Sequence, residues 1–105
     1  MIYDKCKKDV KIQEHHLLPK FMDNPHGYSY SGYPSRIDLC SECHVGETGI
    51  HQTVIFSILL EFAPEQIEYD RYAESDIWKV LSNSQKEIVK ERTVKESWRW
   101  INANS

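Results

Sequence analysis

Cys40-Ser41-Glu42-Cys43-His44, followed by Val45-Gly46-Glu47-Thr48-Gly49-Ile50-His51, gathers two thiols and two imidazoles into one short segment. Two thiolates separated by two residues bind one tetrahedral zinc ion through a tight knuckle. Four ligands complete such a site, and Cys6 is the only other cysteine in the chain. Asp9 stands where a second C-x-x-C would place its cysteine, and a carboxylate oxygen is an accepted zinc ligand. The expected structural zinc site is therefore Cys6, Asp9, Cys40 and Cys43. The alternative is three buried thiols, with Asp9 capping a turn. Three cysteines cannot all pair within one chain, so a disulfide framework is a poor reading.

Outward from this segment, the histidines form a second group. All five lie in the first half, and four of them are His15, His16, His44 and His51. The stretch from about Lys11 to Leu18, closed by Pro19, reads as a strand. Neighbouring side chains on a strand point to opposite faces, so His15 and His16 are expected to serve different purposes, one on a metal and one toward substrate. His44 directly follows Cys43, so a zinc knuckle would hold its backbone. His51 comes one glycine-containing loop later, at the start of a helix. Three imidazoles on one metal leave open positions for water or phosphate, which is a catalytic arrangement.

The remaining sequence sets the frame. At 105 residues the chain is expected to form one domain with a modest core, which a structural metal would support. Its apolar content, 40%, and charged content, 28%, are those of an ordinary globular protein. No segment approaches the roughly 20 apolar residues of a membrane span, and the first residues lack the apolar stretch of a signal peptide. A cytoplasmic location without membrane partners is the expectation. The net charge of −3 lacks the basic footprint of a free-standing DNA binder. Residues 23–34 read as a long loop, and Arg36 to Leu39 as a second short strand. Val54, Ile55, Ile58, Leu59 and Phe62 fall on one helical face. Pro64 suits the first turn of a helix running to about Leu81, and a last helix spans about Gln85 to Ile101. Ser84 and Glu87 have the spacing of its capping box.

Glu14-His15-His16-Leu17-Leu18-Pro19, the C-x-x-C-H at 40–44 and the downstream His51 resemble the HNH nucleases of the ββα-metal superfamily. The resemblance covers residues 6–51 or so. It implies that His16 is the general base and that His15, His44 and His51 hold the catalytic ion. The seven-residue separation of His44 and His51, with Gly46 and Gly49 between them, looks like the longer spacing of phage-type members. Thr48, at the shorter spacing, is a poor ligand. The family's middle asparagine, which fixes the loop carrying the base, would fall at Ser35. Asn24 is the only asparagine in the intervening loop and lies far from that alignment.

Lys20 and Arg36 are the candidate nucleic-acid contacts that offset charge on the phosphate. Tyr28, Tyr30 and Tyr33 are expected to pack the loop over the core, with stacking on a nucleic acid as the alternative. His26 is expected in solvent. Trp78, Trp98 and Trp100 belong to helical segments. Trp98 and Trp100 are not expected to share one core face, which points one of them at a partner.

The expected fold is α+β. Residues 1–62 would form a ββα-metal core with a zinc knuckle, and residues 63–105 a helical extension packed on it, making one domain overall. The expected function is a metal-dependent endonuclease acting on double-stranded DNA. It would carry structural Zn2+ and a catalytic Mg2+, Mn2+, Ni2+ or Zn2+. A protein partner or a second copy would meet the C-terminal helices. The alternative is a non-catalytic zinc module that binds nucleic acid or a protein.

Overall fold

The computed structural model describes residues 12–66 and 73–104. It is a small α+β protein with a two-stranded antiparallel sheet and several helices. Cys6 and Asp9, the two outer members of the expected zinc set, and the apolar candidates Ile67 and Tyr72 lie outside the described residues.

Strand β1, Ile12–His16, pairs with β2, Arg36–Cys40, in the register Ile12 to Cys40, His15 to Ile37 and His16 to Arg36. Alternation separates two faces. His15 is buried beside Ile37 and Leu39, which are fully buried. Glu14, His16, Arg36 and Asp38 occupy the opposite face, where Arg36 pairs with Glu14 at 3.0 Å and with Asp38 at 3.3 Å. The long connection between the strands folds back on itself, with left-handed backbone at Asp23, Gly27, Ser31 and Gly32.

Cys40 ends β2 and caps the short helix α1, Ser41–Val45, its Sγ accepting from the Cys43 N–H at 3.4 Å. Gly46 ends α1, and the chain wraps tightly back over it. A Cβ at Gly49 would lie 2.6 Å from the Glu42 carbonyl oxygen, so only glycine fits there. The next segment is helical, as the apolar spacing requires, but its first turn is wide. Residues His51–Ile55 form a π-helical turn, closed by the Phe56 N–H on the His51 carbonyl, before α2 continues as Phe56–Phe62. The extra residue in that turn makes Val54, Ile55 and Phe56 consecutively buried, while Phe62 slips to the edge of the core.

The region after Pro64 differs from a single helix reaching Leu81. Pro64–Gln66 is a 3-10 turn, and α3 is a separate short helix, Glu74–Lys79, whose Glu74, Ile77 and Trp78 are buried. Helix α4, Asn83–Asn104, packs on α2 and on the π-helical turn. Arg92 ties it to α2 by pairing with Glu61, and also pairs with Glu96 at 2.8 Å.

Two expectations for α4 are corrected. Its capping box is Ser82 with Gln85, not Ser84 with Glu87. The Ser82 hydroxyl accepts from the Gln85 N–H at 3.2 Å, and the Gln85 side chain accepts from the Ser82 N–H at 2.9 Å. The Ser82 carbonyl already accepts the first helical bond from Lys86, so the helix has begun before Ser84 can cap it. Trp98 and Trp100 both pack partly on the core. The buried stripe of α4 runs through Val89, Thr93, Val94, Ser97 and Ile101. At roughly 100° per residue the two indoles flank that stripe on either side, and each is long enough to reach back over it. Tyr30 and Tyr33 also pack on the core, Tyr33 edge-on to Trp98 at 6.4 Å, whereas Tyr28 is 69% exposed.

Substituting Ser82→Ala removes the hydroxyl that satisfies the Gln85 N–H. It should cost about 1 kcal/mol, read as a lower urea midpoint with unchanged slope.

Candidate metal centre

Three side chains from three elements converge beside the sheet. His15 comes from β1, His44 from α1 and His51 from the π-helical turn. One ligand-capable nitrogen of each lies within 4.8 Å of the others. The ring centroids are 4.7–5.1 Å apart, with the planes crossed rather than stacked. His44 Nε2 and His51 Nε2 stand 3.1 Å from each other. Two nitrogens bound tetrahedrally to one zinc at 2.0–2.1 Å would be about 3.4 Å apart.

The outer nitrogens settle what the inner ones present. His51 Nδ1 lies 3.2 and 3.1 Å from the two carboxylate oxygens of Glu74. A carboxylate only accepts, so Nδ1 carries a proton, and in the neutral form of the ring Nε2 presents a lone pair. His44 Nδ1 donates to Gln13 Oε1 at 2.7 Å, with the same consequence for its Nε2. Two lone pairs facing each other at this distance repel, and a cation between them would relieve that repulsion. A proton could join two nitrogens, but it would leave His15 Nε2 buried without a hydrogen-bond partner. The three nitrogens lie close enough together for one metal ion to engage all of them.

His15 is 1% exposed, and burial is the main reason its pKa lies well below that of a free imidazole. The neighbouring His51, His44 and His16 push it the same way. His15 is thus held neutral, the form in which histidine binds metal.

His16 sits on the other side of the same strand, half-buried, at the mouth of a cleft of about 210 Å³. The cleft is lined by Glu14, His15, His16, Pro19, Lys20, Phe21 and both other clustered histidines. Desolvation, then Lys20, lowers the His16 pKa, Glu14 opposes the shift, and Arg36 adds to the lowering. Lys20 is exposed and borders the cleft, whereas Arg36 is held by two carboxylates. Thr48 is exposed on the wrapping loop, and His26 is exposed, its ring tilted against Tyr28. Neither joins the cluster. Cys40 and Cys43 are both buried at the start of α1, next to His44.

Three residues important to this arrangement were missed in the sequence. Glu74 and Gln13 orient His51 and His44 from positions with no local motif. Gly27 lies against the His16 ring with φ +66°, and a Cβ there would approach His16 Nε2 and Cδ2 to 2.7 Å. Asn24, set aside on alignment, is the buried clamp of the loop bearing Gly27. Its Nδ2 donates to the Leu18 carbonyl at 2.9 Å and to the Tyr28 carbonyl at 3.1 Å, and its Oδ1 accepts from the Tyr28 N–H at 3.0 Å. Ser35, at the expected asparagine position, is exposed and contributes its backbone carbonyl to the Leu17 N–H at 3.2 Å. The clue for Asn24 was its place between Asp23 and Pro25, a turn-forming context in which asparagine bonds nearby backbone.

Replacing Asn24 by alanine strands the buried Leu18 carbonyl together with the carbonyl and amide of Tyr28. It should cost about 1–3 kcal/mol in a denaturant titration. Chelated protein should lose stability as the pH falls below about 6.5. The His15 pKa is lower folded than unfolded, so the unfolded chain takes up more protons in that window. Urea midpoints at pH 7.5 and 5.5 check this. No family model matches the chain, and no curated protein or solved structure is significantly similar to it.

Proposed function

We propose that this protein is a metal-dependent endonuclease of the HNH type, built on a ββα-metal core and hydrolysing phosphodiester bonds in DNA. The observation that carries the proposal is the joint placement of three convergent imidazoles and a fourth, His16, on one cleft. An antiparallel strand pair followed by helical segments supports the ββα-metal reading. Burial of Cys40 and Cys43 supports a structural zinc ion there.

The donor set fits a divalent cation of the zinc, nickel or iron kind, since imidazole nitrogen suits these metals. When bound at His15, His44 and His51, such an ion supplies Lewis acidity to a phosphate oxygen and to the departing 3′ oxygen. The chain's own residues do the rest. His16 is neutral near pH 7 because its pKa is lowered, so its free ring nitrogen takes a proton from the attacking water. Gly27 lets the loop lie directly against that ring and limits its orientation. Lys20, at the rim, attracts the phosphate backbone.

The pairing of Arg36 with Glu14 and Asp38 favours a second reading, a zinc module that docks on a partner without cutting, because it leaves the cleft with little free positive charge.

The test is nicking of supercoiled plasmid with magnesium, manganese or nickel. Wild-type protein should cut, and His16→Ala should slow cutting by about 10²–10⁴-fold with metal content unchanged. Undiminished cutting by that variant, with contaminants excluded, overturns the mechanism. Wild-type protein that binds metal but cuts neither DNA nor RNA supports the second reading. Gly27→Ala should lower the rate by about 10²-fold through displacement of His16, without weakening metal binding.

A further inference from the structure

Glu74 belongs to none of the segments that carry the metal-binding residues. It is the first residue of α3, beyond the 3-10 turn, yet it is only 5% exposed and both its oxygens face His51 Nδ1. A buried carboxylate is costly unless it is paired. Its placement does not depend on that pairing alone. Ile77 and Trp78, one turn further along, are buried on the same face of α3. Trp78 meets Phe21 edge-on at 6.5 Å, and Phe21 lines the cleft. Packing of α3 against the loop that follows β1 therefore delivers the carboxylate to the back of His51.

Each of the two half-exposed histidines of the cluster has a different orienting group. His44 has a neutral amide, Gln13, from the sheet; His51 has an anion from the helical extension. Hydrogen-bonded carboxylates behind metal-bound histidines fix the ring and its tautomer and raise its basicity. We infer that Glu74 is a positioning residue of the metal centre, holding His51 with Nε2 toward the ion, so that α3 is an integral part of the site rather than a covering on it. The inference rests on the proposed three-histidine metal site. It adds that the negative charge of Glu74, behind His51, offsets part of the ion's charge, whereas Glu14, which lines the cleft, is engaged by Arg36.

Cobalt(II) is the probe, added to full-length protein whose cysteine site has first been filled with zinc. Visible d–d absorption then reports the histidine site, defined as the signal lost in His44→Ala. Glu74→Ala should weaken cobalt binding at this site by about 100-fold and shift its bands. Glu74→Gln, which keeps an acceptor for Nδ1–H but loses the charge, should weaken it by about 10-fold. The isosteric variant decides the matter where the alanine variant fails to fold. Wild-type affinity and band positions in Glu74→Gln would overturn the inference and leave the metal site standing. Absence of a His44-dependent signal in the wild-type protein would overturn both.

Discussion

The centre of this molecule is an electrostatic constraint. The Nε2 atoms of His44 and His51 face each other with His15 close beside them, and a cation among the three rings would relieve the repulsion of facing lone pairs. Gln13 and Glu74 remove the freedom to escape, because each holds the outer nitrogen of its histidine as a donor. Burial keeps His15 neutral, so it cannot supply the missing charge as a proton. The arrangement suits a cation at its centre, and binding energy at a site of this kind is also folding energy.

The surrounding fold follows from bringing those three rings together. β1 contributes one ring directly. α1 contributes the second by starting at the last residue of β2, where the Cys40 sulfur caps it. The third must return to the same point after seven residues, which demands a chain that hugs α1. Gly49 allows that approach, and the wide π-helical turn then sets the step between His51 and the buried residues of α2. Wide turns of this kind often occur at functional sites. Here the turn lets one residue face the cluster while the next ones enter the core.

His16 shares a strand with His15 but is governed by a separate set of contacts. Its face of the sheet is polar, and its pKa responds to Lys20, Glu14 and Arg36. The loop opposite is held by Asn24 through three backbone hydrogen bonds, and Gly27 presses on the ring from that loop. A chain that lacks asparagine at position 35 still secures the loop, from a different position. Rigid support of a side chain depends on where hydrogen bonds close, and many sequence positions can close them.

Much of this was legible in the sequence because it is local. Period-two alternation separates His15 from His16, C-x-x-C-H spacing couples Cys40, Cys43 and His44, and apolar spacing after His51 marks a helix. The choice of His51 over Thr48 was likewise readable from ligand chemistry. The tertiary structure alone decided which distant residues complete the site. Glu74 lies 23 residues from His51, and Gln13 lies 31 from His44. No local pattern encodes such pairs, since they arise only when α3 and the sheet pack against one core. Burial on both flanks of α4, the shift of its cap to Ser82, and the clamp at Asn24 have the same origin. Each depends on which backbone groups and surfaces remain unsatisfied after the chain has folded, and that is a property of the packed molecule.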